Sequence, residues 1–308
     1  METNHRMTLD QTMEAIRQQR QSLQIVAIVC FTLLMVVVLL FMFRLWLPLC
    51  LLLGALFLFY IFWFRKKRNQ YNDRIAEANI LYGLCPEDAS AVYTGRNGLS
   101  LSEFEALRIL PVYRDSNPLL LRQGFSCTKS GLPVQGWEIA IHYLNRASTK
   151  KTFRFLSGSL IRGQLPRTFS GDFLLLHDNL LEQKSQVDFL ESNHFRRVLL
   201  SNEKLAGQFH LYAQTEDPLP DTLETHLHEL SGAVPNLGAV RVQNDVCAVY
   251  LANQFYTQDV KLRDMPTRDQ LKNDPLPELQ PIVRFMKAIC APGTASGQNS
   301  ESSEERNA

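Results

Sequence analysis

From Leu23 to Phe64 the chain is almost wholly apolar over 42 residues, with Arg44 as its single charge and Pro48 close behind. One helix of that length would extend roughly 63 Å, about twice the ~30 Å hydrocarbon core of a bilayer. The pattern therefore predicts two spans, Leu23–Phe43 and Leu47–Phe64, folded back at Arg44–Pro48. Pro48 suits the first turn of a new helix, where a missing amide proton costs nothing. Arg44, Trp46 and Trp63 are the residue types that meet headgroups. A polar leader of about twenty residues and the lack of a small-x-small site after the run point to a retained anchor rather than a cleaved signal.

Short-loop basic residues stay on the cytoplasmic side. Arg65, Lys66, Lys67 and Arg68 directly follow the second span, Arg6, Arg17 and Arg20 precede the first, and the turn holds only Arg44. Both termini are thus expected on the cytoplasmic side, with the Arg65–Arg68 cluster able to attract anionic headgroups.

Helical periodicity continues on both sides of the spans. Thr8 and Gln11 have capping-box spacing, and Leu9–Gln24 contains no glycine or proline, so residues 1–22 should run as a helix into the first span. After the second, Tyr71, Ile75, Ala78 and Tyr82 recur at helical spacing up to Gly83 and Pro86, which predicts a helix over 65–85. The two helices could pack as a stalk in which the first presents Met13 and Ile16.

Residues 86–290 read as one α+β domain: antiparallel sheet with flanking helices. Residues 86–98 have linker composition, and Ser102 with Glu105 predicts a short helix stopped by Pro111. Residues 136–144 alternate with Trp137, Ile139, Ile141 and Tyr143 on one face, and 151–165 read as strand broken near Gly158. A short apolar strand at 171–178, a hairpin over 195–214 and another over 239–254 turning at Asn244–Asp245 complete the sheet. A helix capped by Asp221 with Glu224, striped by Leu223, Leu227 and Leu230 and ended by Gly232, and a last helix over about 276–289, flank it. Residues 291–308 hold no large apolar side chain and read as a disordered tail.

Charge changes this picture little. With 32 basic and 31 acidic residues the net charge is +1, too small a field to predict nucleic-acid binding. Of the six cysteines, Cys30 and Cys50 lie in the spans, and Cys85, Cys127, Cys247 and Cys290 show no metal-ligand spacing, so free thiols are expected.

Chemistry-bearing residues are sparse. His226 and His228 stand two apart on a predicted helix, about 200° around its axis, so they make a poor pair of metal ligands. Cys127, with Lys129 nearby, could act as a nucleophile if His142 supplied a base and Asp172 or Asp178 an orienting carboxylate. The plainer expectation is a structural cysteine, with Asp172 in a solvated tight turn of the Phe169–Phe173 segment. No G-x-S-x-G, G-x-x-x-x-G-K or G-x-G-x-x-G occurs, and no cofactor or metal is implied.

The order of segments resembles a bacterial family of two-span membrane proteins, the domain of unknown function 3137 family, over most of residues 8–290. Its Phe-Arg-Gly-Leu motif corresponds to Phe153–Arg154–Phe155–Leu156, with Phe155 in place of glycine. Its Phe-x-Gly corresponds to Phe169–Ser170–Gly171, its Leu-Glu-x-x-x-Phe to Leu190, Glu191 and Phe195, and its Ser-Asp to Ser201–Asn202, with Asn202 in place of aspartate. The resemblance implies a bacterial inner (plasma) membrane location, topology and fold, and no particular activity. The expected function is a non-catalytic binding or scaffold module, with lipid and an unidentified membrane or cytoplasmic protein as partners. The alternative is a membrane-tethered hydrolase using Cys127 or a histidine site.

Overall fold

The structure, a computed structural model, describes residues 7–111, 119–145, 152–169, 171–181, 184–214, 219–220, 222–254 and 265–291. The tail from 292 and Asp221 lie outside the described residues, as does the side chain of His142.

The Thr8 hydroxyl accepts from the Gln11 amide while the Gln11 side chain accepts from the Thr8 amide, and the helix so capped runs unbroken from Leu9 to Met42. It ends in a Schellman turn: Arg44 takes the left-handed conformation (φ 56°), with Leu45 N–H donating to Leu40 O and Arg44 N–H to Phe41 O. A second helix of 39 residues, Trp46–Leu84, returns beside the first, passing through π-helical turns at Tyr60–Phe64 and Ile80–Leu84. Both helices are long and apolar enough to cross a membrane. Gly83 lies inside the last turn, and Cys85 closes it.

The domain is built on one antiparallel sheet of nine described strands, in the order β1-β2-β3-β4-β9-β8-β5-β7-β6. They are β1 (Val92–Tyr93), β2 (Leu119–Lys129), β3 (Leu132–Asn145), β4 (Thr152–Gln164), β5 (Asp172–His177), β6 (Arg196–Val198), β7 (Phe209–Ala213), β8 (Leu237–Gln243) and β9 (Val246–Leu251). Both faces are covered. One packs Val240, Val242, Val249 and Leu175 against the helices Leu223–Ala233 and Leu279–Ala288 and the stalk end at Ile80 and Leu84. The other packs Trp137, Ile139, Leu174 and Tyr250 under the helix Leu101–Ala106 and Leu180 and Leu190. Two-sided burial explains why β5 is an unbroken apolar run and not an alternating one.

Four local expectations need correction. Residues 86–98 are not a bare linker, because they contribute edge strand β1, which pairs with Phe125 and Ser126. The short helix is capped by Ser100 with Glu103, not Ser102 with Glu105. That choice puts Leu99 before the cap and Phe104 at the fourth helical position, both buried in one cluster, a hydrophobic staple that Leu101 and Ala106 could not form. It also ends at Ala106, well before Pro111, with Arg108 left-handed (φ 46°).

Third, β4 does not break at Gly158. A Cβ there would meet Leu251 O at 2.1 Å and the Tyr250 ring at 2.7 Å, so glycine lets β9 approach closely. Gly158→Val should cost about 1–3 kcal/mol through that clash, read as a lower urea midpoint for the full chain in detergent. Fourth, the helix Leu223–Ala233 follows Thr222 with no side-chain cap from that residue, the expected cap Asp221 lies outside the described residues, and the Glu224 carboxylate accepts from Ser201 N–H (2.9 Å) and Asn202 N–H (3.1 Å), tying the helix to the β6–β7 connection. The helix runs through Gly232 to Ala233, where the buried Val234 closes it.

Candidate functional site

The stalk is formed. Ile16 and Leu23 of the first helix share an apolar cluster with Tyr71, Ile75 and Ala78 of the second, with Phe64 at one end and Leu9, Met13 and Tyr82 packed around it. Thr12 Oγ1 lies 3.0 Å from Tyr82 Oη, which fixes the register of the pair. Burial pushes the Tyr71 phenol above its ordinary range, opposed by the Arg20 charge. Arg17 and Arg20, between Ile16 and Leu23, therefore stand level with Arg65, Lys66, Lys67 and Arg68, between Phe64 and Tyr71, and together they make a basic collar at the foot of the apolar hairpin. The four residues Arg65–Arg68 are exposed. At the far end of the hairpin Arg44, Trp46 and Pro48 are exposed, and Trp46 packs edge-on against Phe41 (5.7 Å). Trp63 stacks on Phe59 (5.1 Å) just above the collar.

At its other end the stalk is docked onto the domain by the short helix Arg268–Lys272, capped by Thr267 with Gln270. Leu271 inserts into the stalk cluster. Asn79, 5% exposed, donates from Nδ2 to Gln270 O (3.3 Å), Leu271 O (3.2 Å) and Asn273 O (3.0 Å). Gly83 permits the approach, since a Cβ would sit 2.3 Å from Asn273 O. An Arg268–Asp10 ion pair ties the same helix to the start of the first. The sequence reading missed this junction, because residues some 190 apart in the chain carry no mutual pattern.

The proposed Cys127, His142 and Asp172 constellation does not assemble. Cys127 lies in β2 and Asp172 in β5, five strand steps apart in the sheet order, about 24 Å at the usual spacing. His142 is in β3, eight residues along the strand from Val134, the register partner of Cys127, or about 26 Å. Asp178, the other carboxylate considered, pairs with His210 instead, at 2.7 Å. Cys127 is buried, in the same apolar cluster as Cys85. All six cysteines are free.

Asp172 is not a solvated turn residue. Its carboxylate accepts from the Arg241 guanidinium, and the two side chains are 14% and 1% exposed. Arg241 Nη1 also donates to Phe173 O (3.0 Å) and Val242 O (3.2 Å), and Nη2 to Gln214 Oε1 (3.0 Å), while Gln214 Nε2 donates to Asn193 O (2.6 Å). The guanidinium stacks over Phe195 at 5.0 Å. Burial first, and the Arg108 charge second, push its pKa down to about 9. A pKa of about 9 still leaves Arg241 charged at neutral pH, paired with the Asp172 carboxylate. The arrangement braces β5, β8 and β7 from within.

His226 and His228 share the helix Leu223–Ala233 as expected, and His226 Nδ1 lies 3.7 Å from Glu229 on its own helix. Among the described residues no three His, Cys, Asp or Glu side chains come together as a metal site. In comparisons with known proteins, no family model, no curated protein and no solved structure matches this chain.

Proposed function

We propose that this chain is a two-span inner-membrane protein whose α+β domain is held at the cytoplasmic surface as a non-catalytic binding or scaffold module. It belongs, on this proposal, with the domain of unknown function 3137 family that its segment order resembles. The observation that carries the reading is the junction of Asn79, Gly83 and Leu271, which joins the apolar hairpin to the sheet through packed, hydrogen-bonded surfaces rather than a free linker. A domain so mounted is presented at a fixed height and orientation, which suits recognition beside a membrane. The basic collar supports cytoplasmic termini and contact with anionic headgroups.

A protein partner would meet the domain at the β6 edge. That strand is only three residues long, leads into Leu199 (85% exposed), and carries exposed Arg196 and Arg197. The outermost strand of a sheet is a template for strand addition. The hydrolase alternative finds no support in the separation of Cys127 from Asp172.

A reporter enzyme active only in the periplasm, fused after Ser300, is expected to stay silent, and strong activity would overturn the orientation. Changing Arg65, Lys66, Lys67 and Arg68 together to glutamine is expected to raise that signal several-fold, because the retaining charge is gone.

A further inference from the structure

Cys85 and Cys127 come from distant parts of the chain and from different elements: Cys85 closes the Trp46–Leu84 helix, and Cys127 lies near the end of β2. They are 2% and 5% exposed within one apolar cluster. Two further bonds clamp the segments on either side of the pair. Lys129 Nζ donates to Leu84 O (2.6 Å), and the Asp88 carboxylate accepts from Thr128 N–H (2.5 Å). Two buried thiols in one cluster, with the segments beside them clamped together by polar bonds, are placed to meet the main demand of a disulfide, which is proximity without backbone movement.

The two thiols are not equivalent. The proton shared from Cys85 holds the Cys127 thiol below its ordinary range, aided by the Lys129 charge and opposed by burial. The same bond, together with burial, pushes the Cys85 thiol up. Cys127 is thus the attacking sulfur and Cys85 the resolving one. Cys290, by contrast, gives its thiol proton to Arg167 O (3.5 Å), and Cys30 and Cys50 belong to the apolar helices.

We propose that Cys85 and Cys127 form a redox-active dithiol that a hydroperoxide converts to a disulfide, bonding the end of the stalk helix to strand β2. The Cys127 thiolate attacks one peroxide oxygen; an S–O bond forms, the O–O bond breaks, and the departing hydroxide takes a proton to leave as water. Cys85 sulfur, losing its proton, then attacks the sulfenic sulfur of Cys127; the S–S bond forms, the S–O bond breaks, and hydroxide leaves with that proton as a second water. The two sulfurs together lose two electrons and hydrogen peroxide gains them. An external dithiol reverses the change by exchange. The inference rests on the buried pair alone and holds whichever side of a membrane the domain occupies.

The test uses the full chain in detergent, treated with hydrogen peroxide, alkylated under denaturing conditions and digested with trypsin. The peptides Ile75–Arg96 and Gln123–Lys129 each carry one cysteine. They are expected to appear joined, two hydrogens lighter than their sum, and to separate on adding dithiothreitol. Cys85→Ser should abolish the joined species and leave Cys127 as a sulfenic acid trapped by dimedone, and Cys127→Ser should abolish both. Two alkylated, unlinked peptides from peroxide-treated wild-type chain would overturn the proposal, as would Cys127 joined to Cys247 or Cys290.

Discussion

Asp172→Ala is expected to lower the stability of the domain by about 3–5 kcal/mol, enough to unfold much of the population near its working temperature. The cause is what the change leaves behind. Arg241 is 1% exposed and would keep its charge among Leu174, Ala239 and Phe195 with no carboxylate to balance it. Its remaining partners, Phe173 O, Val242 O and Gln214 Oε1, are neutral dipoles. Arg241→Met removes the buried charge itself and fills a similar volume, so its cost should be far smaller, below about 1.5 kcal/mol. Urea unfolding of the two variants in detergent, followed by fluorescence of the buried Trp137, makes the comparison. Equal losses in the two variants would mean that packing, not charge balance, holds β5 to β8.

The second large effect concerns attachment rather than folding. Asn79→Leu removes the donor shared by three carbonyls, and Gly83→Val drives a side chain into Asn273 O. Leaving those carbonyls without their donor costs about 1–3 kcal/mol, which corresponds to roughly 5- to 150-fold more opening of the junction. Tryptic cleavage at Arg268 and Lys272, the helix that the stalk covers, should accelerate by at least about fivefold where opening is fast relative to cutting. The urea midpoint of the sheet should move little, because the Arg268–Lys272 helix contributes only Leu271 to the stalk cluster and nothing to the two sheet cores. Unchanged cleavage would mean that the stalk is not what fixes the domain, and the mounted-module reading would fall with it.

These two sites illustrate different limits on reading the chain. The Asp172–Arg241 pair was half visible: Asp172 drew attention beside a glycine, but a solvated turn was the natural expectation for a carboxylate between strands. Only the second covered face of the sheet, supplied by Leu180, Leu190 and Phe195, takes Arg241 out of water and gives Asp172 its task. The shared burial of Cys85 and Cys127 had no sequence signal, since neither cysteine shows a spacing that pairs it. In both cases the missing information is the sheet order, which places β5 beside β8 and brings the stalk end over β2.

The short helix after residue 98 makes the same point at small scale. Ser100–Glu103 and Ser102–Glu105 are both sound capping pairs, and the choice fell to the one that let Leu99 and Phe104 bury together.

What the sequence determined by itself is whatever depends on neighbours along the chain. The length of the apolar run against bilayer thickness gave the hairpin and its turn at Arg44. The Thr8–Gln11 box gave the first helix its start, the 3.6-residue spacing of Tyr71, Ile75 and Ala78 gave the stalk its contact face, and alternation gave most of the strands. Tertiary structure alone decided which strands adjoin, that the sheet is covered on both faces, that Asn79 is a clamp, and which cysteines are buried together. Periodicity reports how a segment presents its side chains, whereas pairing across scores of residues is chosen by the total burial and hydrogen bonding of the folded state, which no local pattern encodes.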